Sequence, residues 1–248
     1  TWSDDGSTVA VTKRVAKELG VDYHTLDGKE GNDILNIQTG ILMAGTGPDL
    51  NLTSIETVNV NSTNTVILDG SDWDGTNTLN VTKATSADLT AAATTDVNVS
   101  GITGATAVVK VTGGKTVTVN HKMDSATDAI SVQGAVNVNV TATDVTNAAG
   151  INVGTTTAVT GTVNVTSTGA TIADTAGATT TAMDAIAVTG GTTVTVTQSA
   201  NSTSGNAKLA DNIGDIVTQG AVTVTAGNAT TSVTVKQDEE VTAVAAVA

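Results

Sequence analysis

The segment L-D-G-K-E-G-N-D-I-L-N-I at 26–37 carries the clearest chemistry in the chain. It follows the Ca²⁺-binding nonapeptide turn pattern G-G-x-G-x-D-x-U-x, with Lys29 in place of the second glycine. Gly28 and Gly31 allow a tight turn whose carbonyl oxygens converge, and Asn32 and Asp33 add side-chain oxygens. A hard cation such as Ca²⁺ takes roughly six to eight oxygen ligands. Leu35 and Ile37 then enter a strand and anchor the turn on the core. A degenerate copy follows, L-M-A-G-T-G-P-D-L-N-L at 42–52, with Gly45, Gly47 and Asp49 at the expected turn positions. Pro48, the only proline, suits that turn and not a strand. The two turns lie about sixteen residues apart, near two nonapeptide units, and such turns hold an ion between stacked copies. The competing reading is a metal-free loop, because Gly, Asn and Asp dominate turns for conformational reasons alone.

A second acidic loop, D-G-S-D-W-D-G at 69–75, offers Asp69, Asp72 and Asp74 as a weaker set of cation ligands. Its spacing lacks the following Glu of an EF-hand, and the alternative is a solvated turn with Trp73 as a local packing plug. Catalytic constellations are not visible. His24 and His121 lie in different segments, His24 reading as a linker residue and His121 as a turn residue after a strand ending at Asn120. No G-x-S-x-G elbow and no H-E-x-x-H helix occurs. Polysaccharide lyases on related architectures lean on Arg or Lys, whereas the only arginine, Arg14, lies outside the repeats. A non-enzyme is expected, since function has to be argued from a site.

The elements that would position these turns are β-strands. Aromatic residues are 1% of the 248, Phe and Cys are absent, and Thr supplies about a fifth of the chain, a β-branched composition suited to pleated surfaces. Val, Ile, Leu and Ala must therefore fill a thin core, without disulfides. The formal net charge of −14 argues against nucleic acid and anionic membranes as partners. No apolar run is long enough to span a bilayer, so no membrane insertion is expected. The chain begins at Thr1 without a basic, apolar leader.

Alternation recurs at Val58-Asn59-Val60, Leu79-Asn80-Val81, Val97-Asn98-Val99, Val136–Val140, Val163-Asn164-Val165 and Val194–Val196. The string V-T-G-G-K-T-V-T-V at 111–119 returns as V-T-G-G-T-T-V-T-V at 188–196, with weaker copies at 132–138 and 218–224 and a partial one at Val153-Gly154. Leading positions 111, 132, 153, 188 and 218 suggest coils of about twenty residues with inserted loops, hence an all-β, parallel β-solenoid. The alternative is an antiparallel β-sandwich or hairpin array, with Gly113-Gly114 and Gly190-Gly191 as two-residue turns. Val11, Val15 and Leu19 fall on one helical face, which predicts a short helix capped by Asp4, Asp5 or Ser7. The expected divisions are an N-terminal segment 1–25, a calcium-turn region 26–56, a β-repeat domain 57–236 and a tail 237–248.

The phrases I-E-T-V-N-V at 55–60, T-V-I-L-D-G-S-D-W-D-G-T-N-T-L-N-V at 65–81 and T-D-V-N-V-S-G-I-T-G at 95–104, beside the calcium turn, resemble the body of Caulobacter-type surface-layer proteins. Those are similar to RTX proteins, and the resemblance covers most of 26–236. It implies a secreted β-solenoid, exported by a type I system, that self-assembles into a calcium-held lattice on the cell surface. Homo-oligomers, with cell-surface polysaccharide as a further partner, are the implied associations. The segment Asp238-Glu239-Glu240 and the following V-T-A-V-A-A-V-A stand where that family carries its secretion signal. This chain departs from the family in having one good and one degenerate turn instead of a long array. An adhesin or fibre subunit is the alternative. An ice-binding face is a further one, suggested by Thr116/Thr118, Thr193/Thr195 and Thr223/Thr225 but opposed by their irregular spacing and by Asn137, Asn139 and Asn164.

Overall fold

Alternation of apolar and polar residues makes strands here because a pleat turns successive side chains to opposite faces. Thr57–Ser62 and Val66–Gly70 bury every second residue. The computed structural model describes residues 8–11, 23–39, 49–145, 149–170, 180–203 and 216–242. Among them the protein is all-β, and its strands form two long parallel sheets.

The ten-stranded sheet runs, in order, through β1 (Thr8–Val11), β3 (Ile34–Thr39), β5 (Thr57–Ser62), β7 (Thr78–Lys83), β9 (Asp96–Val99), β11 (Thr116–Lys122), β13 (Asn137–Val145), β15 (Thr162–Gly169), β18 (Thr193–Thr203) and β21 (Ser232–Thr242). The seven-stranded sheet runs through β6 (Val66–Gly70), β8 (Ala87–Ala91), β10 (Val108–Gly113), β12 (Ala129–Gln133), β14 (Gly150–Val153), β17 (Ile186–Thr189) and β20 (Val222–Thr225). Two small parallel pairs stand beside them, β2 (Tyr23–Asp27) with β4 (Asp49–Thr53), and β16 (Thr180–Ala182) with β19 (Ile216–Thr218). From β5 onward each circuit of chain adds one strand to each long sheet. Circuit length, read from residues in neighbouring circuits, is 21 between Asn59 and Asn80 and 18 between Asn80 and Asn98. It grows to 25 between Asn139 and Asn164 and 39 between Gln198 and Gln237.

Inside, the register builds unbroken apolar columns. In the ten-stranded sheet one column runs Leu35, Val58, Leu79, Val97, Val117, Val138, Val163, Val194. In the seven-stranded sheet another runs Leu68, Leu89, Val111, Val132, Val153, Val188. All of these belong to a single buried cluster. With almost no aromatic volume available, stacking of like aliphatic residues fills the interior, and packing density is kept by repetition.

Outside, the ten-stranded sheet carries a column of amides. Asn59 Nδ2 donates to Asn36 Oδ1 (2.9 Å), Asn80 to Asn59 (2.8 Å) and Asn98 to Asn80 (2.9 Å). After Thr118 interrupts it, Asn164 donates to Asn139 (3.0 Å). Strands in parallel register stand about 4.8 Å apart, within reach of an amide-to-amide bond between identical side chains. The Val-Asn-Val alternation thus encodes both faces: valine for the core, asparagine for a ladder.

Several expectations need correction. The Gly-Gly pairs are not hairpin turns and the antiparallel arrangement is excluded, since β10 and β11 lie in different sheets and every named pairing is parallel. Gly113 (φ 78°) and Gly114 (φ 94°) are the corner between them. A Cβ on Gly113 would overlap the Ala91 carbonyl oxygen, so left-handed backbone and close approach both require glycine there. The register confirms 111, 132, 153 and 188 as equivalent positions, but Val188 pairs with Val224, while Thr218 lies in β19 opposite Ala182. The copy at 218–224 is therefore displaced: its V-T-V at 222–224 belongs to the seven-stranded sheet, and Val233-Thr234-Val235 takes the place beside Val194-Thr195-Val196. The inserted pair β16–β19 separates sequence similarity from position in the circuit. Val11, the start of the predicted helix, ends strand β1. The remainder of that helix, its caps, and the tail beyond Thr242 lie outside the described residues.

Candidate functional site

The turn at 28–33 joins β2 to β3. Gly28 N donates to Thr53 O (2.9 Å), and Thr57 N to Asp33 O (3.1 Å), so the corner is stitched at both ends to the next circuit. Lys29 (φ 70°) and Gly31 (φ 128°) have positive φ. Lys29, where the nonapeptide pattern has glycine, thus keeps the left-handed conformation that glycine would favour. Its amide donates to Asp27 Oδ1 (3.0 Å) and its ammonium pairs with Asp27 Oδ2. The hydrogen bonds from Lys29 hold the Asp27 carboxyl below its ordinary value.

Asp33 is the unusual member. Its residue is 4% exposed, and its Oδ2 is buried with no hydrogen-bond partner among the described residues. A buried carboxylate oxygen without a donor or cation is costly, and native structures seldom leave one. Beside it the Ser54 carbonyl faces the same spot: a Cβ built on Gly28 would overlap Ser54 O and come within 2.7 Å of Asp33 Oδ2. The Glu56 carboxylate accepts from Asp33 N (2.6 Å). Oxygen atoms of Asp33 and Ser54 therefore border one cradle kept open by glycine, with Glu56 adjoining. These are hard ligands of the kind Ca²⁺ takes, so this donor set fits the ion chemically. Leu35 (1% exposed) and Ile37 (7%) enter β3 and anchor the corner as expected.

The sequence reasoning missed Ser54 and Glu56. Glu56 sits in the I-E-T-V-N-V phrase, at an offset that only the register converts into proximity. Because Asp27 pairs with Thr53 and Ile34 with Thr57, residues 54–56 are what stacks on the turn. Asp49 begins β4 opposite Tyr23, away from that corner, while Gly45 and Gly47 lie outside the described residues. In the second acidic loop Asp69 Oδ1 accepts from Ser71 N (3.0 Å) and Ser71 Oγ (2.6 Å), a local turn bond. Asp69, Asp72 and Asp74 are exposed, and Asp74 also bridges Thr53. Trp73 is a plug as expected, 6% exposed, with its Nε1 donating to Leu50 O (2.6 Å). No group of three carboxylate or imidazole side chains converges among the described residues, so any cation here would rely on carbonyl oxygens as well.

Neither histidine stands where the sequence reading put it. His24 lies in β2, paired with Leu50. His121 lies within β11, in register with Ala142, and is 4% exposed with neither ring nitrogen bonded among the described residues. Burial lowers its pKa from 6.5, opposed by Asp128 and Asp124. Asp128, wholly buried, is a turn brace: its Oδ1 accepts from Ala107 N (2.9 Å) and its Oδ2 from Ser125 N (3.1 Å). With the folded pKa below the unfolded one, the unfolded chain takes up the proton first as pH falls. Stability is therefore full above about 6.5 and declines below it toward the folded pKa. Thermal melts between about pH 7.5 and 5.5 are expected to show a falling Tm that is flatter in His121→Leu. Parallel curves for the two proteins would refute this.

Comparison with known proteins gives no matching family model, no matching curated protein and no matching solved structure.

Proposed function

We propose that this chain is a parallel β-solenoid that serves as a structural subunit of an extracellular, calcium-dependent surface layer, and not as an enzyme. The observation that carries the reading is the continuous parallel register: one sheet extends through ten strands and ends on edges with no described neighbour. Parallel edges with free backbone groups favour strand addition, and an array that repeats internally extends readily between copies. The Asp33 corner supports calcium as the cofactor, through an unpaired buried carboxylate oxygen beside a carbonyl. Calcium also offsets repulsion between chains of net charge −14. Secretion to the cell surface and polysaccharide anchoring follow from the surface-layer resemblance and belong to the same proposal. Light scattering of purified protein during addition of Ca²⁺ and then EGTA tests it. Reversible growth of large β-rich particles is expected, and a folded monomer indifferent to both additions would leave only an adhesin-like module.

One observation favours a second reading. The register aligns Thr57 with Thr78, Thr162 with Thr193, and Thr118 and Thr195 with the asparagine column, on one sheet face. The irregular sequence spacing thus conceals regular rows, which suits an ice-binding face. Against it, Asp96 pairs with Thr78 within the rows, the asparagine amides bond one another, and Thr223/Thr225 lie in the other sheet. No thermal hysteresis is expected at high protein concentration; measurable hysteresis would replace the surface-layer reading.

A further inference from the structure

The apolar columns stay buried until the last circuit. Val194 and Val196 are 0% exposed, whereas Val233 and Val235, their partners in the same columns, are each 45% exposed. In the facing sheet Ile186 and Val188 are 1% exposed, and their partners Val222 and Val224 are only half-buried. β21 and β20 are the edges of their sheets. The last circuit therefore presents an apolar floor bordered by two open strand edges, the arrangement that soluble β proteins usually cover or break with charge.

We propose that β21 receives the first strand of a second copy of this chain, β1 adding beside it in parallel so that the ten-stranded sheet runs on into the next molecule. This rests on the self-assembly reading and names its interface. The register supplies the occupant. Val9 pairs with Leu35 and Val11 with Ile37, the columns that end in Val233 and Val235. T-V-A-V of β1 thus repeats the pattern of S-V-T-V at 232–235, position for position. Beyond β1 no further strand is paired among the described residues.

Charge chooses the same partner. In the sequence Val235 is soon followed by Asp238, Glu239 and Glu240, and Val11 by Lys13 and Arg14. A symmetric joint of β21 with β21 would set two acidic strands together, and like charges facing across a strand pair destabilise it. An all-parallel sheet has two different edges, so the joint is head-to-tail and does not close on two molecules. Growth is then open, as a filament or layer requires.

The chain has no cysteine, so introduced thiols report cleanly. Ala10→Cys protein mixed with Thr234→Cys protein under oxidation is expected to give covalent dimer. Ala10→Cys mixed with Thr118→Cys, a mid-sheet control, should give about tenfold less, because register-matched neighbours stand near 4.8 Å. Adding Val233→Lys/Val235→Lys to the Thr234→Cys partner should abolish the dimer while circular dichroism stays β-rich. Cross-linking no greater than the control overturns the joint, even if calcium-dependent particles still form. Equal cross-linking in Ca²⁺ and in EGTA keeps the joint and removes calcium from the reading above. Dimer that appears only after deletion of residues 243–248 would show the chain's own end on that strand and would also overturn it.

Discussion

Asp33→Ala protein is expected to require about tenfold more Ca²⁺ for half-maximal assembly, or to fail to assemble at millimolar concentration. Its circular dichroism should match the parent's. The separation of effects follows from what Asp33 does. Its carbonyl accepts from Thr57 N and its amide donates to Glu56, and both main-chain groups survive the substitution. Only the carboxylate is removed, and with it the unpaired Oδ2. Without calcium, replacing that oxygen should be neutral or slightly stabilising, because a buried acceptor with no partner is eliminated. With calcium, a charged ligand is lost from a cradle that has few. The expected signature is a crossover, in which the variant melts no lower than the parent in EGTA and clearly lower in Ca²⁺. Asp69→Ala should show no crossover, since that carboxylate is exposed and bonded to Ser71. Identical calcium midpoints for Asp33→Ala and parent would place the ion elsewhere or nowhere.

How much of this was legible depended on the kind of information each residue carries. Val58-Asn59-Val60 announces its strand and its two faces, because period-2 alternation is local. The V-T-G-G-K-T-V-T-V repeat marks 111 and 188 as equivalent positions for the same reason. What stacks on a given residue is not local, since it depends on the length of the circuit between them. Circuits vary from 18 to 39 residues. That variation hid Glu56 from Asp33, set Asp49 opposite Tyr23, and shifted the apparent repeat at 218–224 by one strand. His121 is hidden for a different reason. N-H-K after V-T-V looks like the polar end of a strand, yet alternation carries on and turns the imidazole inward at the place of Ala142. Trp73 is legible because a tryptophan between Asp72 and Asp74 in a glycine-bounded loop can bury its ring only by folding back onto the core, where it is 6% exposed.

The asparagine ladder and the valine columns divide labour between specificity and stability. Isolated valine columns leave the register weakly determined, since sliding a strand by two residues would again match valine to valine. The amide ladder on the outer face disfavours that slip, because Asn59 bonds both Asn36 and Asn80 only in the observed register. Where circuits lengthen, a polar side chain enters the interior: Gln198 is 0% exposed. Gln237 Nε2 donates to Gln198 Oε1 (2.8 Å), and Gln198 Nε2 to Asp184 O (3.0 Å).

Ile151→Ala is expected to lower stability by about 2–5 kcal/mol, the range for large-to-small changes in packed cores. Ile151 is 0% exposed and stands between Ile130 and Ile186 in one column, so removing its methyl and methylene groups opens a gap inside a packed stack. Val224→Ala, in the neighbouring column but half-buried in the last circuit, should cost less than about 1 kcal/mol, as partly exposed positions do. A stacked array couples each circuit chiefly to its two neighbours, so damage should stay local. Amide hydrogen exchange of Ile151→Ala should therefore accelerate in β12, β14 and β17, and remain near the parent's rate in β5 and β7. Uniform acceleration over all circuits would mean that the array melts as one cooperative unit. The terminal circuits would then gain stability from every interior contact, and capping the Val233–Val235 edge by assembly would matter far less to the folded chain.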